Sequence, residues 1–376
     1  MKIAFIVSNF PKLSETFILD QITGLIDRGH EVYIFAGKLG KESKTHPDIE
    51  KYQLLKKTHY YSLPHNKFLR IAKAFFVFFR CFLKNPLVSI KSLNFVKYGK
   101  NAFSFRLLLA VDKFINKDFD IIACHFGPNG ILGAQLKDIG IKGKVITTFH
   151  AHDLTTFIKK NGEDVYGFLF DKGNLFLSIS NYWVKKIKNL GCDPQKLVVH
   201  RMGIDTKKFK FKKKINNKEN KIKILTVGRL VEKKGYKYMI EAMSKIVEEN
   251  KNIKYTIVGD GPLFLELKKI TKELGIENYV NFLGEANQKD IRVLYQEADI
   301  FALYSITAEN GDQEGIPVVL MEASAVGLPI VSTYHTGIPE VVLDNESGFL
   351  VKEKDVDGLV ERLEYLIENP KKVSLP

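Results

Sequence analysis

Two cations stand five residues apart in Gly228-Arg229-Leu230-Val231-Glu232-Lys233-Lys234-Gly235, a run that follows the apolar stretch Ile222 to Val227. At that spacing a guanidinium fork and a point-charge ammonium, Arg229 and Lys234, can converge across a turn on one polyphosphate. A basic loop closed by Gly235 is the plain alternative. A second constellation runs from Glu309 to Ala323, after the apolar stretch Ile300 to Leu303. Pro317 suits the first turn of a helix ending at Gly327, so the backbone around Gly315, Ile316 and Val318 is expected to form an N-terminus that favours an anion. Glu314, just before the helix, and Glu322, five residues into it, would flank that end. Carboxylates there suit sugar hydroxyls, which can donate two hydrogen bonds to one side chain. Two solvated glutamates are the alternative, but the helix is otherwise apolar and should be buried.

The first half of the chain places polar residues after its own apolar runs. Phe149-His150-Ala151-His152-Asp153 follows Lys144 to Thr148, and His125-Phe126-Gly127 follows Ile121 to Cys124. His-x-His invites a metal reading, but no third ligand has similar spacing, so satisfied histidines or substrate contacts fit better. Asn9 to Phe17 follows Lys2 to Val7 and includes Ser14, Glu15 and Thr16. Ser14 fits either a helix N-cap or an acceptor contact. Asp118-Phe119-Asp120 precedes its strand, at the wrong end of a sheet for metal-assisted transfer, and Asp355-Val356-Asp357 opens a terminal helix. Gly259-Asp260-Gly261-Pro262 departs from the dinucleotide glycine pattern at Pro262.

These residues need a frame that gathers strand ends. Apolar runs of three to six residues alternate with amphipathic segments along the chain: Lys2 to Val7, Glu31 to Ala36, Ile121 to Cys124, Lys144 to Thr148 and Leu175 to Ile179, then Ile222 to Val227, Tyr255 to Val258, Val280 to Phe282, Ile300 to Leu303 and Pro329 to Ser332. Short runs bounded by Gly, Asp or Lys are the pattern of parallel strands buried on both faces. The expected fold is α/β, with two doubly wound domains, 1–196 and 197–376. In such sheets ligands gather at the carboxyl ends of the strands. The chain has 376 residues, 45% of them hydrophobic and 27% charged, which fits two globular domains and excludes wholesale disorder. Lys207 to Lys223 is strongly basic and of low complexity, as expected of a connector.

The net charge of +14 is carried entirely by the first half: residues 1–205 hold 31 Lys/Arg against 17 Asp/Glu, and the remainder is balanced. Lys67 to Lys117 contains eleven basic residues and one acid, Asp112, interleaved with eleven Phe and Tyr residues. Such a segment can bury aromatics in a lipid interface while its lysines meet anionic headgroups. The plain alternative is two helices, broken at Asn85-Pro86, with their Phe stripes in the core. Nucleic acid is disfavoured because no recognition module is evident. Three scattered cysteines form no disulfide framework and fit a reducing compartment. No run is long and apolar enough to span a bilayer, so a cytoplasmic protein peripheral to the inner membrane face is expected.

Together, Gly228 to Gly235, Tyr255 to Pro262, Phe282-Leu283-Gly284 and the glutamates Glu314 and Glu322 resemble retaining glycosyltransferases of family 4, which have the GT-B fold of two Rossmann-like domains facing a cleft. Phe10 to Phe17, His125-Phe126-Gly127, His150 to Asp153 and Gly311 to Pro317 resemble the bacterial colanic-acid and exopolysaccharide branch. The resemblance implies that Arg229 and Lys234 neutralise the diphosphate of a nucleoside-diphosphate sugar, here expected to be a UDP-sugar. It implies that Glu322 holds the ribose, Glu314 the sugar, the backbone of Gly315, Ile316, Pro317 and Val318 the sugar and phosphate, and that Leu283 lies by the base. His150 would bond the donor sugar, with His150 and Glu314 the catalytic pair, while Ser14, Glu15, Thr16 and His125 would face a lipid-linked saccharide acceptor.

No cofactor or metal is implied. The chain departs from the family pattern at Pro11 to Glu15, where a glycine pair is usual. It also stops at Lys371 to Pro376, where family members usually continue with a segment that crosses back onto the first domain. Sugar-nucleotide epimerisation or hydrolysis on the same fold, or a non-catalytic membrane-surface scaffold, are the rival readings.

Overall fold

The computed structural model describes residues 1–40, 45–211 and 221–369, and the chain divides into two compact units, Met1–Arg201 and Met202–Pro376. Most of the expected basic connector, and the final residues from Lys371, lie outside the described residues. In the first unit the strands are β1 (Lys2–Phe10), β2 (Glu31–Leu39), β3 (Thr58–Tyr60), β4 (Ile121–His125), β5 (Lys144–Phe149), β6 (Leu175–Ser178) and β7 (Leu197–Val199). In the second they are β8 (Ile222–Val227), β9 (Ile253–Val258), β10 (Val280–Gly284), β11 (Ile300–Ala302), β12 (Ile330–Thr333) and β13 (Gly348–Val351). Every expected apolar run forms a strand. The boundary expected at 196/197 moves to 201/202 because Leu197–Val199 pairs with β6 in parallel and belongs to the first sheet.

Both sheets are wholly parallel, in the orders β3-β2-β1-β4-β5-β6-β7 and β10-β9-β8-β11-β12-β13. Helices cover both faces, so the strands are apolar on both sides: Ile3 to Val7 of β1 are all at most 2% exposed. Strand order reverses between β1 and β4 in the first sheet and between β8 and β11 in the second. At such a switch point the loops diverge to opposite faces and leave a crevice at the carboxyl ends. The amino ends are closed in the same way in both sheets. Asp120 Oδ2 accepts from the Lys2 amide at 2.7 Å, and Asp299 Oδ2 accepts from the Lys223 amide at 2.8 Å. Asp120 is thereby occupied at the end of the sheet away from the ligand rim.

Residues 67–117 fold as four helices, Lys67–Lys84, Pro86–Ser92, Phe95–Phe103 and Arg106–Phe114, against the two of the plain alternative. The last is nearly all buried, Leu107 to Val111 and Phe114 packing on one face of the sheet. The first buries only Ala74, Val77 and Cys81, a narrow stripe on one side. Phe78 packs partly buried against the core, but Phe68, Phe75 and Phe76 are 83%, 67% and 68% exposed, and Phe79 and Leu83 are exposed beside them. The periodicity fits an aromatic stripe facing either way, and here the stripe faces solvent.

Candidate functional site

The loops at the carboxyl rim of the second sheet are tied together by their backbones. Gly228 N–H donates to Val258 O at 2.9 Å, Leu230 N–H to Asp260 O at 3.0 Å and Gly259 N–H to Gly284 O at 2.8 Å. Two glycines permit this closeness. A Cβ on Gly259 (φ 137°) would lie 2.0 Å from Gly228 O, and one on Gly235 (φ 62°) would lie 1.8 Å from Tyr304 O. Gly235 thus turns the chain from the cationic loop into the helix Tyr236–Glu249 directly against the strand-end segment after β11. Arg229 and Leu283 are exposed on this rim.

At the switch point the cationic loop meets the Glu314 loop. Lys234 Nζ lies 3.2 Å from Glu314 Oε2, and Lys233 Nζ lies 3.5 Å from Glu314 Oε1 and 3.2 Å from Asp312 Oδ2. Glu314 is 7% exposed. Burial pushes its pKa upward, but the two ammonium groups outweigh that and hold the carboxyl below its usual range. Burial lowers the Lys234 pKa, with Glu314 opposing; at Lys233 the carboxylates Glu314 and Asp312 overcome burial and raise it. His335, in the loop after β12, accepts from the Glu314 amide through Nε2 at 3.1 Å, so its proton sits on Nδ1, which donates to Glu353 Oε1 at 2.6 Å. Thr336 Oγ1 donates to Glu314 O at 2.9 Å and to Gly315 O at 3.1 Å. The carboxylate and the loop that carries it are therefore fixed from both sides.

Glu322 is 4% exposed and its Oε2 accepts from Tyr295 Oη at 2.8 Å. It is not a solvated surface glutamate. The helix that carries it spans Val318–Ala325, beginning one residue later than expected. Pro317 (φ −66°, ψ 117°) is extended and occupies the cap position, so Gly315 and Ile316 lie in the loop ahead of the helix. The first helical amide is that of Val318. Lys233, His335, Glu353 and Tyr295 were not singled out in the sequence. Lys233 stood inside the quoted motif, and His335 follows a strand as His125 and His150 do.

The rim of the first sheet has a different chemistry. His125, at the end of β4, and His150, just after β5, are 4% and 7% exposed and meet ring to ring, Nδ1 of His125 lying 3.0 Å from Nε2 of His150. His125 Nε2 is 2.8 Å from Gln21 Oε1. With the carboxamide so oriented, His125 donates from Nε2 and accepts at Nδ1 from His150 Nε2–H, leaving His150 Nδ1 as an acceptor. Burial pushes the His125 pKa down to about 3 and that of His150 well below its ordinary value, so both rings are neutral. Phe126 and Phe17 pack on His150 at centroid distances of 4.4 and 4.7 Å. Buried Asp153 accepts amide hydrogen bonds from His150 at 3.0 Å and from Ala151 and Gly127 at 2.9 Å, locking both histidine loops.

His125 was expected to face an acceptor; with both ring nitrogens engaged inside the unit, it supports His150 instead. Ser14 is exposed and Thr16 begins the helix Thr16–Asp27. The N-cap is Glu15, not Ser14, and its side chain makes no cap bond but pairs with Lys12 Nζ at 2.5 Å. Ser14 is thus freed from the helix-capping alternative.

Two parallel sheets, with a lysine–carboxylate cluster at the rim of one and a neutral histidine pair at the rim of the other, give the chain the two Rossmann-like units of a GT-B protein. Comparison with known proteins agrees: the Glycosyltransferase Family 4 model matches residues 14–208 and the model for glycosyl transferases group 1 matches residues 207–374. The chain belongs to glycosyltransferase family 4. It is 39% identical over 368 residues to the amylovoran biosynthesis glycosyltransferase AmsK of Erwinia amylovora, covering 96% of this chain and 89% of that protein. It is 37% identical to WcaL of Salmonella typhimurium, which carries a colanic acid biosynthesis designation, over 96% of this chain and 90% of the relative. Among solved structures, Anabaena HepE in complex with UDP and glucose shares the GT-B fold with a TM-score of 0.72 at 18% identity, over 100% of this chain and 92% of that one.

Proposed function

We propose that this glycosyltransferase is a retaining hexosyltransferase of surface-polysaccharide assembly, moving a sugar from a nucleoside-diphosphate sugar, with uridine as the base, to a lipid-linked or polysaccharide-precursor acceptor. The observation that carries the reading is the contact of Lys234 with Glu314 at 3.2 Å, a buried ammonium beside a buried carboxylate at the second sheet's switch point. In this reading Arg229 and Lys234 neutralise the diphosphate, Glu314 accepts from sugar hydroxyls and Glu322 from the ribose. The loop from Gly315 through Ile316 and Pro317 to Val318 follows the sugar and phosphate, and Leu283 covers the base. His150 serves the transferred sugar as a hydrogen-bonding group, while Ser14, Glu15 and Thr16 contact the acceptor.

The bond from the anomeric carbon to the phosphate oxygen breaks, and its electron pair stays on that oxygen. The acceptor hydroxyl oxygen bonds the same carbon on the same face, and its proton passes to the departing phosphate oxygen. Negative charge grows on the phosphate as the bond breaks, and preorganised cations lower that barrier. Two or three fixed cations supply the charge compensation that a divalent metal gives other transferases, so the reaction runs without metal.

The designations of AmsK and WcaL support surface polysaccharide as the product, and the UDP complex of HepE supports the choice of base. A relative from Mycobacterium tuberculosis, 25% identical over 271 residues, is named as GDP-mannose-dependent, which makes GDP the competing base. The exposed aromatic stripe of the helix Lys67–Lys84, with Lys73, Lys84 and Lys91 around it, supports attachment to an anionic membrane surface at its cytoplasmic face. Among the described residues no helix is long and apolar enough to cross a membrane.

The test incubates the full chain with UDP-, GDP- and ADP-hexoses in excess chelator, with and without lipid-linked saccharides. Transfer from a UDP-hexose that needs acceptor and preserves the anomeric configuration supports the reading. A free epimer or free sugar as sole product, or transfer only on adding metal, contradicts it.

A further inference from the structure

The two lysines of the charged rim are adjacent in sequence but are held in different ways. Lys233 Nζ has three acceptors, all in the loop that carries Glu314: Asp312 Oδ2 at 3.2 Å, Gln313 O at 3.2 Å and Glu314 Oε1 at 3.5 Å. An ammonium has three N–H donors, so this one is fully occupied. Lys234 Nζ has one acceptor among the described residues, Glu314 Oε2 at 3.2 Å. The two oxygens of a single carboxylate are thus divided between a lysine with every donor committed and a lysine with one.

The backbone repeats the distinction. Ile306 N–H donates to Lys233 O at 2.9 Å and Glu309 N–H donates to Glu232 Oε1 at 2.8 Å, so the turn bearing Lys233 is tied to the segment between β11 and Glu314. Lys234 instead lays its stem over Gly228, where an added Cβ would lie 3.4 Å from Lys234 Cε. Its ammonium can turn about that stem toward Gly228 and Arg229 by giving up one contact, whereas Lys233 would have to give up three.

Departure of Lys234 has a consequence at Glu314, whose side chain is only 10% exposed. A buried carboxylate that loses its counter-ion takes up a proton, and a protonated Glu314 no longer accepts hydrogen bonds through both oxygens. The other titratable groups around it do not replace the lost cation. Asp312 is itself acidic, His335 meets the Glu314 amide through an accepting Nε2 with Glu353 behind it, and Tyr236 Oη donates to Gly228 O at 2.8 Å.

We propose that Lys233 is a positioning residue of the transfer reaction: fixed by the loop 312–314, it stays with Glu314 and keeps that carboxylate ionised when Lys234 turns to the donor diphosphate. The inference rests on the donor reading of Lys234 and Glu314 given above and adds a division of labour between neighbouring lysines. Lys234 moves to the phosphate; Lys233 never touches it.

Calorimetric titration of UDP, GDP and ADP into the full chain tests this at about pH 6 in two buffers of different ionisation enthalpy, which counts the protons bound or released with the nucleotide. Protons lost by the nucleotide's own terminal phosphate are common to all samples, so differences between variants belong to the protein. Wild type should show no net uptake. Lys233→Gln should take up about half a proton or more beyond wild type, with affinity weakened several-fold, because Lys234 is then the sole counter-ion of Glu314. Lys233→Arg keeps the cation and should restore the wild-type count; Asp312→Asn cuts an anchor but keeps the cation and should not raise it. Adding Glu314→Gln to Lys233→Gln should abolish the extra proton, which assigns it to Glu314 and not to His335.

A proton count in folded Lys233→Gln equal to that of wild type overturns the role, as does extra uptake that survives in the double variant. Should Lys233→Gln fold poorly, wild type still decides, since net proton uptake there means that Glu314 is left without a counter-ion and Lys233 does not serve it. Failure of wild type to bind any of the three nucleotides is a separate result: it removes the donor reading, and this role with it.

Discussion

The two sheet rims solve opposite electrostatic problems on the same topology. At the β8–β11 switch point, lysines and carboxylates are packed against one another, and the ammonium groups hold Glu314 charged. At the first unit's rim, the two buried histidines are held neutral and wrapped in phenylalanine. A rim of paired charges is suited to a substrate whose charge changes during reaction, because a lysine released from Glu314 can turn to a phosphate without crossing a large desolvation barrier. A rim of neutral rings is suited to hydroxyls, which need directional donors and acceptors and no net charge. The rim of the second unit thus carries paired charges, whereas the histidine pair at the rim of the first carries none.

The largest effect should come from breaking the charged rim. Lys234→Ala removes a cation from the developing phosphate charge and leaves Glu314 with one lysine, so kcat/KM for transfer should fall by about 10²–10³. Steady-state assays with a nucleotide-sugar donor check this, and Lys234→Arg should recover only part of the loss because a planar fork does not replace a point charge. His150→Ala breaks the neutral rim and should cost about 10- to 100-fold, the value of one or two hydrogen bonds in the transition state. His125→Ala should cost less, and should act mainly by letting the His150 ring reorient, seen as a changed His150 ring-nitrogen NMR signal. Replacing Phe75, Phe76 and Phe79 by Ser should weaken binding to anionic vesicles by about 10-fold or more, since each aromatic ring buried contributes on the order of 2 kcal/mol. Transfer to a water-soluble acceptor should be untouched. Arg80 is unsuited to that test because it is ion-paired to Asp112.

The smallest effect separates the rims by pH. The histidines have lowered pKa values in the folded state and about 6.5 in the unfolded chain, so the unfolded state binds more protons below that value. Their stabilising contribution is present above about pH 6.5 and is lost progressively as pH falls toward the folded values. Glu314, also lowered, loses its contribution only below its ordinary range near 4.5. Thermal melts between pH 7 and 5 should therefore lower the stability of the first unit before that of the second, and His125→Gln should flatten the difference.

Most of this frame is visible in the residues alone. Long buried strands such as Lys2–Phe10 and Ile222–Val227 carry apolar runs bounded by polar residues. The short strands Thr58–Tyr60, Leu197–Val199 and Gly348–Val351 escape notice because three or four residues at or near a sheet edge show no periodicity. Strand-end residues Arg229, Lys234, Glu314 and His150 stand out by position and type. Their partners do not: Gln21 is 104 residues from His125, and Glu353 is 18 from the histidine it orients. A helix's apolar stripe is equally legible, but its outward direction in Lys67–Lys84 depends on Ala74, Val77 and Cys81 finding the core first.

The central claim, that the charged rim of the second unit holds a nucleoside diphosphate, is tested most directly by calorimetric titration of UDP, GDP and ADP in excess chelator. Wild type would be compared with Arg229→Ala, Lys234→Ala and Glu322→Ala. The account predicts metal-free binding of UDP in preference to the others, weakened about 10-fold or more by each substitution. Failure of the folded protein to bind any of the three, or UDP affinity unchanged in all three variants, would contradict it.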